Sequence, residues 1–285
     1  MPAALALSAA FLFAAALITT QFGLRHMDAL AGAKVSVPSA TLLFWLVLLL
    51  RGADLGGWQP QAAGIFLALG LLFPAAVTLL AYEANRRMGP TIAGAIGSTA
   101  PLFAVLGAVV FLGERLGVTQ VASTVAIVAG SIVLVWRNGA TLRGVGLISW
   151  VSWAAAALRA LAQVVVKAGL LLWPNPYAAT LLCYSVSTAV IWTVGALSRR
   201  PESRVYHRRG VIWFGLTGLF NGTAVLTLYS ALETGAVSVV SPIAATYPLF
   251  TLVLNSGILR QERLSARLIA GVLLMVSGVV ALVYF

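Results

Sequence analysis

The sequence predicts an all-α integral membrane protein, with ten transmembrane helices in two inverted five-helix repeats around a central cavity. Three observations lead there. First, 61% of the 285 residues are apolar and 9% charged, with a mean hydropathy of +1.00; a soluble domain has about 45–50% apolar and about 25% charged residues. Second, ten apolar runs are separated by short charged gaps, and most approach the roughly 20 residues a spanning helix needs. Third, the second half of the chain repeats the first. The composition excludes a soluble globular enzyme, a disordered chain and a secreted disulfide scaffold. Cys183 is the only cysteine, forms no intrachain disulfide and reads as a small buried hydrophobe.

The ten runs cover residues 2–24, 37–50, 61–84, 91–112, 119–136, 144–170, 177–197, 211–232, 237–259 and 268–284. The first has no basic stretch before it and stays apolar to Leu24, so it reads as a spanning helix and not a cleaved leader. The second is short; its helix is expected to begin near Asp28, with Lys34 at the membrane edge. Long runs without alternation exclude a closed barrel. There is no zinc spacing, P-loop or serine-nucleophile elbow, and the histidines are His26 and His207 alone.

The repeat is clearest between the third and eighth spans. Leu72-Phe73 matches Leu219-Phe220, Leu79 matches Leu226, Tyr82 matches Tyr229 and Ala84 matches Ala231, all at the 147-residue separation of the two tyrosines. In the fourth and ninth spans Ile96 matches Ile243, and Thr99-Ala100-Pro101-Leu102-Phe103 matches Thr246-Tyr247-Pro248-Leu249-Phe250. One residue further on, Glu114-Arg115-Leu116 matches Glu262-Arg263-Leu264, and Gly130 matches Gly278. A weaker match sets Gln21 and Arg25 against Gln163 and Lys167. The repeats are placed at residues 1–138 and 139–285. Five spans each, an odd number, turn one repeat over relative to the other. That is the architecture of secondary transporters, with the ligand between the repeats near the midplane.

Lys and Arg total 18 against 7 acids, a net charge of +11. On the side away from the termini lie Arg25, Lys34, Arg86, Arg87, Arg137, Arg143, Arg199, Arg200, Arg204, Arg208, Arg209, Arg260, Arg263 and Arg267; only Arg51 and Arg115 lie on the side of the termini. The positive-inside rule then places the basic side in the cytoplasm and both termini outside. Residues 198–210 form the longest charged loop, suited to anionic lipid head groups. Basic residues scattered in short gaps make no folded patch for nucleic acid.

Candidate functional residues are polar or helix-breaking groups inside the spans. Pro101 and Pro248 occupy matching places and Pro242 adds a break in the ninth span; a missing N–H kinks the helix, shaping a cavity and a point of flexure for gating. Arg159 lies about twelve residues, roughly 18 Å, from either end of the sixth span. A charge at that depth belongs at a bundle interior or cavity, where it can pair with a substrate carboxylate. Gln21, Gln163 and Asn221 can hydrogen-bond a ligand or a neighbouring helix. Tyr82, Tyr229 and Tyr247 offer an apolar ring with a polar tip, and Trp150 and Trp153 are placed on the face that includes Arg159, as aromatic walls. Ser98, Thr99, Ser241 and Thr246 can meet a ligand or back-bond to their own helix. Lys167 reads as snorkelling to an interface, Glu114 and Glu262 as corner caps beside Arg115 and Arg263, and Glu83 as a partner of Arg86 or Arg87. Gly94 and Gly97 read as close-packing residues.

At the paired Pro-Leu-Phe and Glu-Arg-Leu motifs the chain resembles a ten-helix member of the drug/metabolite transporter superfamily, in its EamA-domain branch. Residues Tyr82-Glu83-Ala84, Pro101-Leu102-Phe103, Leu112-Gly113-Glu114-Arg115-Leu116 and Gly130 carry the resemblance in the first repeat. Tyr229-Ser230-Ala231, Pro248-Leu249-Phe250, Gln261-Glu262-Arg263-Leu264 and Gly278 carry it in the second. The resemblance implies export of amino acids and other small metabolites, the bacterial aromatic amino-acid exporters being the nearest type. It implies a monomer in the inner membrane, without a cofactor, that moves a small zwitterion outward by alternating access. The chain departs from the pattern in three ways. The first helix lacks the Trp-Gly pair of many members, and the loop charges put the termini outside where many members have them inside. Residues 1–24 also contain no acid, which argues against the proton-coupled cationic-drug mechanism of small multidrug relatives. Three alternatives have discriminators. A drug or sugar-derivative exporter would have a cavity untouched by Arg159. A lipid-modifying enzyme would need acids or histidines clustered at one membrane face. A channel would lack a cavity sealed on one side.

Overall fold

A computed structural model describes residues 1–50, 52, 55–135, 150–198, 205–259 and 266–284, with side chains for all of these but 85, 86, 88–95, 135 and 255–259. The sequence forms helices α1 (Pro2–Leu24), α2 (Ala29–Leu50), α3 (Pro60–Gly70), α4 (Ala75–Gly97), α5 (Ala100–Leu112), α6 (Val118–Val135), α7 (Trp150–Leu172), α8 (Pro176–Leu197), α9 (Arg208–Thr234), α10 (Val237–Ala244), α11 (Tyr247–Leu259) and α12 (Ala266–Tyr284). Among the described residues, eight helical stretches are long and apolar enough to cross a bilayer, and Ala100–Leu112 and Val118–Leu134 are shorter apolar helices. These ten match the ten predicted spans. α2 begins one residue after Asp28, whose carboxylate accepts the Leu30 N–H at 3.1 Å. Pro176 opens α8 behind an Asn175 cap that accepts the Ala178 N–H at 2.9 Å. Arg51, Arg137, Arg143, Arg199, Arg200, Arg204, Arg260, Arg263, Glu262 and the Arg86 and Gly94 positions lie outside the residues or side chains described.

The packing keeps its pattern when the two halves are exchanged. α1 packs along α9, and its counterpart α7 packs along α3 and α4. α2 lies on α9 as α8 lies on α3, and α1 meets α10 and α11 as α7 meets α5. The pairs α2–α8 and α6–α12 join counterparts to each other. Close approaches repeat in detail. A Cβ on Gly130 would lie 2.7 Å from the Gly271 carbonyl and 2.9 Å from the Met275 nitrogen; one on Gly278 would lie 2.9 Å from the Ser123 carbonyl and 3.2 Å from the Ile127 nitrogen. These are the same contacts with the halves swapped. Gly70 likewise abuts the Cys183 carbonyl and Gly218 the Ser36 carbonyl, while Phe66 covers Gly169 and Phe214 covers Gly23. In hydrocarbon, where no hydrophobic force drives helices together, such small-residue contacts supply the packing. The Gly23–Gly169 correspondence also corrects the weaker match: it aligns Gln21 with Lys167, one turn away from Gln163.

Pro242 does not break the ninth span as predicted: it lies within α10, and the break follows at Ala245-Thr246. Breaks in the helices differ from the predicted ones in two further places. The third span divides at residues 71–74 into α3 and α4, because Pro74 has no N–H to continue the ladder and disfavours helix in the residue before it. Conversely, the charged link expected at residues 85–90 is helical within α4, where the Arg87 Nε donates to Glu83 Oε1 at 2.7 Å across one turn. The remaining breaks are paired. α4 gives way to α5 at Ser98-Thr99, and α10 to α11 at Ala245-Thr246. In each, the threonine hydroxyl donates back three residues, Thr99 to the Ile96 carbonyl at 2.6 Å and Thr246 to the Ile243 carbonyl at 2.7 Å. Pro101 and Pro248 each stand second in the helix that follows.

Candidate functional site

The two halves enclose a cavity of about 190 Å³, ample for a small metabolite when one water needs about 10–15 Å³. Its wall comes from both halves: α1, α2, α4, α5 and the 71–74 turn on one side, α7, α8, α9, α10 and the start of α11 on the other. No described side chain of α6 or α12 is on it. Lining positions lie in the second half of α1 (Phe13 to Thr20) and the first half of α7 (Ser152 to Gln163). The cavity therefore extends from mid-bundle towards the end where α1 stops and α7 starts, the side of the basic loops.

The opposite end is held shut by contacts of Glu114 and Trp173 between the halves and by Lys167 within the second half. Gly113 ends α5 at φ +69°, a left-handed conformation that glycine adopts without strain. The turn aims Glu114 at the start of α10. There its carboxylate accepts the Val237 and Ser238 N–H groups at 2.8 and 3.0 Å, a charge placed where the helix dipole favours it. Lys167 donates to the Leu232, Gly235 and Glu233 carbonyls at 2.7, 3.0 and 3.3 Å, capping the end of α9. Both contacts correct the expectations: Lys167 reaches a helix end, not the lipid interface, and Glu114 caps a helix of the other half. Trp173, 4% exposed, donates to the Gly56 carbonyl at 3.0 Å and packs on Phe66 and Trp58 at the same end.

Of the candidate residues singled out from sequence, Tyr82, Arg159, Gln163, Asn221, Tyr229, Ser241, Tyr247 and Pro101 line the cavity. Arg159 is half-buried, and no described residue pairs with its guanidinium. Tyr82 shares a hydrogen bond with Ser36 at 3.4 Å. Asn221 donates from Nδ2 to the Tyr184 hydroxyl at 3.0 Å. Phe13, Phe73 and four tyrosines give the wall its aromatic character. Proline offers no N–H to the carbonyl four residues back; for Pro101 and Pro248 those belong to Gly97 and Ala244, both on the cavity wall.

The other candidates stand elsewhere. Trp153 is 44% exposed and packs edge-on against Phe103 at 6.2 Å, and Trp150 is 59% exposed. Six residues at about 100° each turn Trp153 well away from Arg159, so the aromatic wall is built of tyrosines instead. Gln21 is half-buried beside the wall, to which α1 presents Thr20. Thr99 and Thr246 bond back to their own helices. Ser98 and Pro242 are buried, and neither they nor Pro248 are on the cavity wall. The sequence reading passed over Tyr184, Ser36, Ser152, Phe73 and Pro74, all lining residues. Pro74 carried a legible signal, a proline amid apolar residues. The single serines and Tyr184 did not, since nothing in an apolar run tells which face turns inward.

The sequence model of the EamA-like transporter family matches residues 1–136 and 146–284, nearly the whole chain in two copies. The chain belongs to the EamA-like transporter family. This EamA-like protein is thus a multi-pass membrane protein of a family whose members are transporters of small molecules rather than enzymes. A crystal structure of another protein, 18% identical, superposes on 98% of this chain and 95% of its own with a TM-score of 0.80, and so shares the fold. No curated protein matches the chain.

Proposed function

We propose that this EamA-like transporter exports amino acids with aromatic or other hydrophobic side chains across the bacterial inner membrane by alternating access. The carrying observation is Arg159, a cation in the cavity wall with no partner among the described residues. A charge kept at membrane depth is costly unless it is paired, and a substrate carboxylate supplies the partner through charge-assisted hydrogen bonds. Tyrosine and phenylalanine rings around it suit an aromatic or aliphatic side chain. A fixed cation favours carboxylates over neutral sugars and over cationic drugs. The basic loops lie in the cytoplasm and both termini in the periplasm, so the cavity loads from inside. The halves, residues 1–138 and 139–285, then rock about the site to release substrate outside, and the monomer suffices because both halves are in one chain.

Counterflow of radiolabelled phenylalanine into proteoliposomes tests the reading. The wild type exchanges it, and Arg159→Ala slows exchange about tenfold to a hundredfold, the loss of one charged hydrogen-bonding partner. A wild type that exchanges no amino acid refutes the substrate; an unimpaired Arg159→Ala refutes the role of the arginine. For orientation, an impermeant thiol reagent should label Val205→Cys, at a position 57% exposed, from the cytoplasmic face only. Cys183, 0% exposed, gives little background.

A further inference from the structure

Among the described residues, five buried side-chain polar atoms make no hydrogen bond of good geometry, and four of them belong to residues of the cavity wall: Ser152 Oγ, Gln163 Oε1, the Tyr229 hydroxyl and Ser241 Oγ. Gln163 is 6% exposed, Ser241 2% and Tyr229 1%. The fifth, Ser123 Oγ, is on α6, away from the cavity. An orphaned polar group in a low-dielectric interior is costly, and four on one wall point to a ligand that completes them.

Three of the four share a level. Lys167, one turn beyond Gln163 on α7, grips the carbonyls of Leu232 and Gly235 at the end of α9. Gln163 is therefore level with the turn of α9 that carries Tyr229. Ser241 stands four residues into α10, whose start is tied to the same closed end by Glu114. The Tyr229 hydroxyl lies against the Cys183 thiol, which donates to the Phe66 carbonyl at 3.2 Å; sulfur is a weak partner for a hydroxyl. Ser152 lies two turns on the other side of Arg159, at the mouth, and takes no part.

Chemistry then orients a ligand. A guanidinium only donates and an amide oxygen only accepts. Arg159 and Gln163, four residues apart, present these opposite demands about 6 Å apart on one helix face. No carboxylate lines the cavity among the described residues, so a cationic ligand group has neutral acceptors and aromatic faces to meet. We infer that Gln163, with Ser241 and Tyr229, forms an ammonium subsite at the closed end of the cavity, which makes a free α-amino group a requirement for transport. This rests on the reading that Arg159 takes the carboxylate.

The test compares phenylalanine with 3-phenylpropionate, which keeps the carboxylate and ring and lacks the ammonium, and with N-acetylphenylalanine, whose nitrogen is uncharged. Counterflow in proteoliposomes should favour phenylalanine over both by at least about tenfold, as sites built to hydrogen-bond one group reject analogues that lack it. Gln163→Leu, checked by its melting temperature, should lose most phenylalanine exchange and narrow that preference to about threefold or less. Gln163→Glu, close in shape, should widen it, which keeps the test readable if Gln163→Leu does not reconstitute. Wild type exchanging all three acids alike overturns the subsite and leaves Arg159 in place. So do a Gln163→Leu variant that loses the acids in equal proportion, as for a packing role, and a Gln163→Glu variant with unchanged preference. Exchange of no acid at all overturns the carboxylate reading and the subsite with it.

Discussion

Arg159 and Trp153 share a helix and differ in everything that follows from its rotation. The sequence marks both as unusual in an apolar run, but only packing decides that one turns to the cavity and the other to the outer surface. Trp153→Leu should leave phenylalanine counterflow within about twofold of wild type, since it removes a peripheral edge-on ring contact of modest worth; a loss as large as that of Arg159→Ala would put Trp153 back at the site. Polar groups deep in spans were legible by type, as Gln163 and Asn221 were. Their directions were not, because a helix hydrophobic on nearly every side has no periodicity to show which face is interior. Gln21 and Ser98 were chosen on the same grounds and fall outside the wall. Lys167 shows the same limit: its depth was readable, but the open carbonyls at the end of α9 that it caps are brought to it by the fold.

At the scale of elements, the helix breaks divide into those the repeat announced and those it did not. The Thr-x-Pro breaks at Thr99 and Thr246 appeared twice in sequence and twice in structure. The break at residues 71–74 occurs once, and α9 runs through the corresponding place unbroken, so comparing the halves hid it. The register agrees: Phe66 and Gly70 correspond to Phe214 and Gly218 with one residue more separation than Tyr82 has from Tyr229. The first half carries an extra residue, which the turn absorbs. Interfaces between elements give sharper tests. A Cβ on Gly218 would fall 2.0 Å from the Ser36 carbonyl, and one on Gly130 2.7 Å from that of Gly271, both backbone atoms that cannot swing aside. Gly218→Ala and Gly130→Leu should each destabilise the protein by about 1–3 kcal/mol, read as a lower melting temperature in detergent; Gly215→Ala, with open space around it, is the neutral control. Glu114→Ala should cost about 1–3 kcal/mol by leaving the Val237 and Ser238 N–H groups without their charged acceptor, while Arg87→Ala, which removes the 41% exposed member of a pair one turn apart, should cost under about 1 kcal/mol.

For the molecule as a whole, the two-fold pattern is what the sequence showed best. Five spans per half, matched motifs near one offset and the Gly130–Gly278 pair all reappear as helices that exchange places under the symmetry. What the sequence could not show is the asymmetry imposed on it. One end of the cavity is closed by Glu114, Lys167 and Trp173, and the wall lies towards the other end. Alternating access requires that the closed end can open while the basic side closes, so that a single site serves both faces in turn. The most direct measurement is the labelling rate of Thr78→Cys, a near-isosteric probe on the cavity wall, by an impermeant thiol reagent applied to one face of oriented membranes at a time. The account predicts labelling from both faces, faster from the basic side, and slowed at each by phenylalanine. Labelling from one face alone under every condition, or equally fast from both and indifferent to phenylalanine, would contradict it.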